Sequence, residues 1–595
     1  MPDPGPANSS AAIDALIRER LYTEAAAACE GVLRSNPHDL HALSMLALAA
    51  LHLGDSARAE AAMGRAVGLK PEDAGLRINH ARTLAPLGEH ARADAELESA
   101  KTLRPDWVEP WLVWSELATA RGELHLAMRR AEATAMAFPA DGDALLARAL
   151  TLAALGRPEE AWPIALEARD NKPQSIRHST EVAYLSNFVP GLPAAAVLEA
   201  HTHIARRLNR FQPVTPINAT ARALDGRPIR IGLVSPDFRD HSVAYFLEPI
   251  LEHNDPAAAE LFAYHTAPKE DLVTVRLRGR VPNWRSIAGM PAREQARTFA
   301  QDRLDLLIEL AGHTEHNAVP AMRYRAAPVQ ATYLGYPNTT GLRTIDYRIV
   351  DSITDPSGET DGHCTERLWR LDPPFLCYRP QEPSPPVAAP PCLAEGRITF
   401  GSFNIARKLN NRTISLWARV LLAVPGSRLY LKSRGLDEAG FAHDLRSRFA
   451  GAGVDPSRVM LAGYVRDVDG HLGAYRALDI ALDPAPYNGT TTTCEALWMG
   501  VPVITVAGDR HASRVGASLL RAIGLPELVA STEDELVSAA ADLAGEMTRL
   551  VRLRETMRER MRSSPLCDGP AFCGRFLAAV HEMVRAGPVG MGTSG

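Results

Sequence analysis

Cysteine is scarce in this 595-residue chain: seven, at 29, 364, 377, 392, 494, 567 and 573, an odd number without metal-type spacing. That scatter argues against a disulfide framework and reads as the reduced thiols of a cytoplasmic protein. Cys567 and Cys573 are the nearest pair, and no metal is expected there. Long apolar runs are missing too, since none reaches the roughly 18 residues of a membrane helix. Met1-Pro2-Asp3-Pro4-Gly5-Pro6 has no basic region followed by an apolar core, so no signal peptide is expected. An excess of one charge is also absent. Lys and Arg number 65 against 70 Asp and Glu, a formal net charge of −5, which offers no global signal for a nucleic-acid polymer or a membrane surface. The length suffices for roughly three to four soluble domains.

What is present begins with a ruler. Prolines stand at Pro37, Pro71, Pro105, Pro139 and Pro173, each 34 residues after the last, and glycines at Gly54, Gly88, Gly122 and Gly156 keep the same step. Alanines at 25, 59, 93, 127 and 161 follow it, as do those at 66, 100 and 168, with Thr134 interrupting the second column. Glycine relaxes the turn between two helices, alanine lets them approach, and proline marks the passage to the next unit. The period is that of tetratricopeptide (TPR) repeats, which stack into an α-solenoid with a concave face. Such a groove holds an extended protein segment; a passive spacer or oligomerisation arm is the plainer reading.

After Gly226-Arg227-Pro228 the pattern becomes parallel α/β. Short apolar runs at 229–234, 304–310, 329–334 and 347–350 form one set. Those at 397–400, 428–431, 459–461, 480–482 and 503–505 form another, and a proline-rich stretch from Pro380 to Pro391 separates them. Two Rossmann-like lobes place a ligand in the cleft between them, at the C-terminal ends of the strands. The domains read as a disordered tail 1–12, TPR repeats 13–175, a helical connector 176–226, a first lobe 227–379, a linker 380–396, a second lobe 397–586 and a frayed tail 587–595.

The chemistry-bearing residues cluster at those strand ends. Asn488-Gly489-Thr490-Thr491-Thr492-Thr493-Cys494-Glu495 lies between an apolar strand and a helix. Glycine brings the backbone close, while the threonines supply hydroxyls and free N–H groups at a helix N-terminus, a phosphate cradle. Glu495, about one turn on, is placed to accept from ribose hydroxyls. Lys408 follows the first strand of the second lobe, where its charge suits a diphosphate leaving group; Arg407 competes for that role, and a surface lysine is the plainer reading. His241 follows the first strand of the first lobe as a base, a positioner or a structural loop histidine. Gly312-His313-Thr314 and Gly335-Tyr336-Pro337 follow later strands, where turn formation explains part of their composition. His471 is a candidate to pack on a nucleobase, with a simply exposed histidine as the plainer reading. Asp467-Val468-Asp469 looks like a metal-binding acidic pair, although acids at a helix start are common for dipole reasons.

In order, these segments resemble the O-GlcNAc transferase/SPINDLY family of TPR-containing protein O-glycosyltransferases, over about residues 13–565. The likeness rests on Val234-Ser235-Pro236-Asp237-Phe238 with His241, Gly312-His313-Thr314, Pro328-Val329-Gln330 with Leu334-Gly335-Tyr336-Pro337, Gly401-Ser402-Phe403-Asn404 with Lys408, and the block from Gly489 to Pro502. It implies a TPR solenoid followed by a GT-B-type pair of lobes, inversion at the anomeric carbon, and no metal or other cofactor. It implies catalytic roles for His241, Lys408 and Asp302, the last as a proton relay. Donor binding falls to Gly335, Pro337, Asn404, Lys408, His471, Gly489, Thr490, Thr491, Thr492 and Glu495, and His313, Thr314 and Tyr336 shape an acceptor and sugar pocket.

The implied partners are a nucleotide sugar and a protein acceptor in the TPR groove, flagellin among the candidates. UDP-GlcNAc is the family's default donor. The sequence departs from the animal enzymes at Thr490, where they carry histidine, and near Val468, where they carry a nucleoside-contacting lysine; their long insert between lobes is missing. The threonine run looks more like SPINDLY, whose plant members transfer fucose from GDP-fucose, and a CMP-linked nine-carbon acidic sugar for flagellin is a further alternative. A TPR adaptor with inactive lobes is the reading of another class.

Overall fold

The computed structural model describes residues 9–19, 21–210, 226–465 and 467–589. The chain divides into two compact units, Met1–Thr151 and Leu152–Gly595. In the first, helices Ser10–Arg18, Tyr22–Ser35, Leu40–His52, Ser56–Leu69, Ala74–Leu84, His90–Leu103, Glu109–Arg121 and Leu124–Ala137 pack each against the next, and Gly142–Ala154 runs across the division. The ruler residues explain the pairing. Gly54, Gly88 and Gly122 take φ of 77°, 77° and 82°, the left-handed conformation that turns the chain between helices without a Cβ penalty. Asp39, Asp55 and Asp73 cap the following helices through N–H groups of Ala42, Arg58 and Leu76. The columns Ala25, Ala59, Ala93, Ala127 and Ala66, Ala100 are fully buried, and Thr134 fits its column because its hydroxyl donates back to the Arg130 carbonyl at 2.8 Å. The first helix starts at Ser10, inside the stretch expected to be a tail, because Ser9 caps it and Ile13 is buried; residues 1–8 lie outside the described residues.

The second unit continues with helices Pro158–Asn171, Ile176–Ser186 and Ala194–Arg210. Residues 211–225 of the expected connector lie outside the described residues. Two sheets follow. The first contains β1 (Ile229–Ser235), β2 (Ala259–His265), β3 (Asn283–Ser286), β4 (Leu306–Glu309), β5 (Val329–Thr332), β6 (Tyr347–Asp351) and β7 (Arg367–Leu371), in the order β3-β2-β1-β4-β5-β6-β7. The second contains β8 (Thr399–Ser402), β9 (Arg428–Lys432), β10 (Val459–Ala462), β11 (Ile480–Leu482), β12 (Val503–Val506) and β13 (Val529–Ala530), in the order β10-β9-β8-β11-β12-β13. Strand pairs such as β1 with β4 and β8 with β11 are parallel. The order is that of doubly wound sheets, whose strands are buried on both faces. β4, β5, β6, β8 and β11 are buried along their whole length.

Two boundaries differ from the expectation. Helix Gly569–Ala586, grouped with the second lobe, packs on helix Ser242–His253 of the first: the Cys573 thiol donates to the Ile250 carbonyl, and Phe576 lies against Tyr333. Of the expected frayed tail, residues 587–589 are tied down, with Tyr347 donating to the Gly587 carbonyl and Val589 N–H to Asp346, and residues 590–595 lie outside the described residues. The proline-rich linker is held by arginines that satisfy its carbonyls, Arg554 on Ala388 and Arg558 on Pro385.

Candidate active site

In each sheet the strand order reverses between two neighbours, β1 and β4 in the first lobe and β8 and β11 in the second. Loops leaving such neighbours diverge and open a crevice. The loop after β1 carries His241, and those after β4 and β5 carry Thr314 and Gly335-Tyr336-Pro337. Across from them, the segment after β8 carries Asn404 and Lys408, and after β11 come Thr490, at a loop's end, and Thr491 and Thr492, in the first turn of a helix. All of these line one cavity of about 330 Å³, together with Tyr184 and Tyr487.

The second-lobe wall is an anion site. Lys408 Nζ donates to Asn404 Oδ1 at 3.0 Å and to the Asn488 carbonyl at 2.6 Å, and sits 4.2 Å from the centre of the Tyr487 ring. Burial lowers its pKa to about 8, with Asp483 opposing that shift. The Asp483 carboxylate accepts from Gly489 N–H at 2.6 Å and Thr505 Oγ1 at 2.8 Å, which fixes the loop. Helix Thr491–Trp498 begins there, and its N-cap Thr490 makes no side-chain cap, so the first N–H groups stay open for a ligand. Thr492 Oγ1 donates to Asn404 Oδ1 at 3.2 Å. Gly489 is required because a Cβ would fall 2.5 Å from Thr492 Oγ1. Arg407, the competing cation, instead stacks over Tyr184 and Phe188 at 5.3 and 5.6 Å.

A bound diphosphate raises the Lys408 pKa above its value in the empty cleft. Binding therefore takes up a proton above about pH 8, and affinity for UDP or GDP is expected to fall up to about tenfold per unit as pH rises beyond that point. Calorimetry in buffers of different ionisation enthalpy reads this uptake. An affinity that stays flat through this range would remove Lys408 from the phosphate site.

Beyond the phosphate wall lies a polar chain that the sequence disclosed in part. Lys432, at the end of β9, donates to His471 Nδ1 at 2.7 Å, and His471 Nε2 donates to Glu495 Oε2 at 3.0 Å. Tyr475 OH reaches the same carboxylate oxygen at 3.2 Å. Burial pushes the Lys432 pKa down to about 8, against Glu495 and Asp467. Lys432 belongs to no motif; only strand pairing puts it beside His471. Asp467 is the N-cap of helix Val468–Gly473 and accepts from Gly470 N–H, so this acid serves the helix start. Among the described residues no three His, Cys, Asp or Glu side chains gather as a metal site.

On the first-lobe wall, His241 is the N-cap of helix Ser242–His253, and its Nδ1 accepts from Val243 N–H at 3.3 Å. Asp237 Oδ1, at 3.6 Å, is beyond hydrogen-bond reach. Burial lowers the His241 pKa, so the ring is held neutral with its proton on Nε2. Tyr336 lines the cavity with its ring while its hydroxyl points away, receiving from Asn187 Nδ2 at 3.0 Å and donating to His201 Nε2 at 2.8 Å.

Five expected site residues do not line the cavity: Gly489 lies beneath the threonine cradle, His471 and Glu495 form the polar chain, and His313 and Asp302 turn to other partners. His313 is 4% exposed, bonds the Thr340 carbonyl at 2.8 Å and packs edge-on behind Tyr336, with burial pushing its pKa down to about 4. It supports the wall and is not part of the sugar pocket. Asp302 ends helix Ala292–Gln301, pairs with Arg285 and accepts from Tyr264 OH at 2.6 Å. Its carboxylate is committed to that cluster and is not among the groups that line the cavity. Asp302→Asn is accordingly expected to lower the melting temperature while kcat stays within about twofold of the parent, since the change lies away from the reacting atoms; a large kcat loss in folded protein would restore the relay.

The pattern of glycosyl transferase family 41 matches residues 206–377 and 390–576, and a tetratricopeptide repeat pattern matches 10–74. A protein of Oryza sativa subsp. japonica named "Probable UDP-N-acetylglucosamine–peptide N-acetylglucosaminyltransferase SPINDLY" is 42% identical over 391 residues, 65% of this chain and 42% of that one. The Arabidopsis thaliana protein similarly named but designated SEC is 26% identical over 407 residues, 66% of this chain and 41% of that one. The chain thus spans less than half the length of the curated relatives it matches. A mutant form of the Thermobaculum terrenum O-GlcNAc transferase superposes with a TM-score of 0.76 at 30% identity, covering 92% of this chain and 97% of that one.

Proposed function

This chain belongs to glycosyl transferase family 41, and from that premise we propose that it is an inverting protein O-glycosyltransferase. A serine or threonine hydroxyl of a protein held by the TPR repeats attacks the anomeric carbon of a nucleotide sugar, and the nucleoside diphosphate leaves. The observation that carries this reading is the anion site of Lys408 and the open helix start at Thr490–Thr492, facing the first-lobe wall across one cavity. Those donors stabilise the charge that grows on the leaving phosphate. His241 Nε2–H, a donor in the tautomer that Val243 N–H favours by bonding Nδ1, positions oxygen atoms at the reacting centre. The acceptor proton passes to a phosphate oxygen of the donor.

The names of the relatives support UDP-GlcNAc as donor. One observation favours a second reading, a GDP-linked sugar such as GDP-fucose. A chamber of about 810 Å³ beside the helix that carries His471 is lined by Val468 and the carboxylate of Asp469. Guanine presents N–H donors at N1 and N2 that carboxylates accept.

The test mixes the protein, candidate acceptors including flagellin, and a panel of UDP-, GDP- and CMP-sugars. Intact-mass spectrometry is expected to show one sugar increment on a serine or threonine. No increment from any donor, with no rise in melting temperature from any nucleotide, would sink the transferase reading in favour of an adaptor.

A further inference from the structure

A second imidazole faces the cavity, and neither motif nor resemblance pointed to it. His511 lies in the turn His511–Ser513 after β12, 7% exposed, and lines the cavity together with Gly335, Tyr336 and Pro337. Its Nδ1 meets Asp355 Oδ2 at 2.5 Å. Asp355 comes from the other lobe, in the loop after β6, with Arg348 Nη1 3.6 Å from its second oxygen. Phe375 presses edge-on against the ring at 5.1 Å.

That arrangement fixes the chemistry of the other ring nitrogen. A carboxylate at Nδ1 holds the proton there, and burial keeps the ring neutral. Nε2 is left with a lone pair and no hydrogen bond among the described residues. His241 on the facing wall has the opposite tautomer, because its Nδ1 accepts from a backbone N–H. The cavity therefore holds one imidazole that donates and one that accepts.

Strand order says what reaches the acceptor. Along the C-terminal edge of the second sheet, β10-β9-β8-β11-β12, the polar chain of Lys432 and His471 sits at β9 and β10. The anion site of Lys408 and Thr490–Thr492 sits between β8 and β11, and His511 follows β12. A nucleotide sugar laid along this edge with its base at the first and its phosphates at the second carries its sugar to the third.

We propose that His511 reads the transferred sugar: Nε2 accepts a hydrogen bond from one of its ring hydroxyls, and Asp355 is the positioning residue that sets the tautomer. The assignment rests on the transferase reading. A site built to accept from a hydroxyl discriminates strongly against a sugar lacking it, because the buried group is left unpaired.

The experiment uses the full chain, the donor found by the panel and its monodeoxy analogues. His511→Leu is expected to lose about 10–100-fold in kcat/KM, while its calorimetric affinity for UDP and GDP stays within about twofold, since the phosphate and base contacts lie elsewhere. His511→Gln recovers most of the loss, because its amide donates to Asp355 and presents an oxygen to the sugar. One deoxy donor costs the parent protein the same factor and costs His511→Leu nothing further. Parental kcat/KM in His511→Leu overturns the proposal. So does an equal fall in UDP or GDP affinity, or undiminished discrimination among the deoxy donors. Should His511→Leu fail to fold, His511→Gln and the deoxy series on the parent decide: an inactive but folded His511→Gln, or no sensitivity to any missing hydroxyl, overturns it. A parent protein that turns over no donor defeats the transferase reading first, and this proposal with it.

Discussion

Lys408→Met is expected to lower turnover by about 10³-fold, roughly 4 kcal/mol of transition-state stabilisation, while the protein stays folded. The size follows from the place of the ammonium. It is buried, fixed by Asn404 Oδ1 and the Asn488 carbonyl, and aimed at the open start of helix Thr491–Trp498. Charge that develops on a leaving phosphate there finds a donor already oriented. Methionine keeps the stem and removes the charge, so packing survives. Asp483 loses a favourable neighbour but keeps Gly489 N–H and Thr505 Oγ1, and burial already raises its pKa to about 6. Protonation near neutral pH relieves the remaining cost, and a melting temperature within a few degrees of the parent is expected. Lys408→Arg is not expected to rescue turnover, since a planar fork does not fit a point-charge site. Single-turnover kinetics with the donor from the panel would measure the loss, and parental rates in Lys408→Met would end the assignment of this lysine.

Gly335→Ala is expected to cost about 3 kcal/mol of stability and most of the activity. A Cβ at this position would stand 2.0 Å from the Leu310 carbonyl oxygen and 3.2 Å from Val243 Cγ2. The nearest obstacle is backbone at the end of β4 and cannot rotate away as a side chain could. Relief requires the loops after β4 and β5 to part, which moves Tyr336 and Pro337 at the cavity wall and disturbs Leu334, already held at φ 74°. A denaturant midpoint together with kcat separates the two effects. A variant as stable and active as the parent would show that this loop has slack. Gly335 was expected to bind the donor; its missing side chain is needed first for close approach of two strand ends.

Much of this site could be read along the chain because its signals are local. The glycine step predicts turns between helices, and Gly54, Gly88 and Gly122 make them in the left-handed conformation. The Asn488–Glu495 run predicts a strand, a tight glycine and a helix start, and all three are present. Lys408 and His241 were found as residues just past strand ends. The errors and omissions share another property. Asp302 and His313 also follow helix or strand ends, yet their side chains turn to Arg285, Tyr264 and the Thr340 carbonyl. Lys432 and Tyr184 have no distinguishing neighbours in sequence, and helix Gly569–Ala586 gives no local sign that it returns to the first lobe.

The sequence by itself therefore determined the repeat, the two parallel lobes and the phosphate cradle, because each depends on conformational needs met within a few dozen residues: positive φ, a helix start, an apolar strand. Only the tertiary structure decided which of the 19 histidines face the cavity. An imidazole donates or accepts according to what its other nitrogen touches. For His241 that partner is two residues away, and for His511 it is Asp355, 156 residues earlier in the chain.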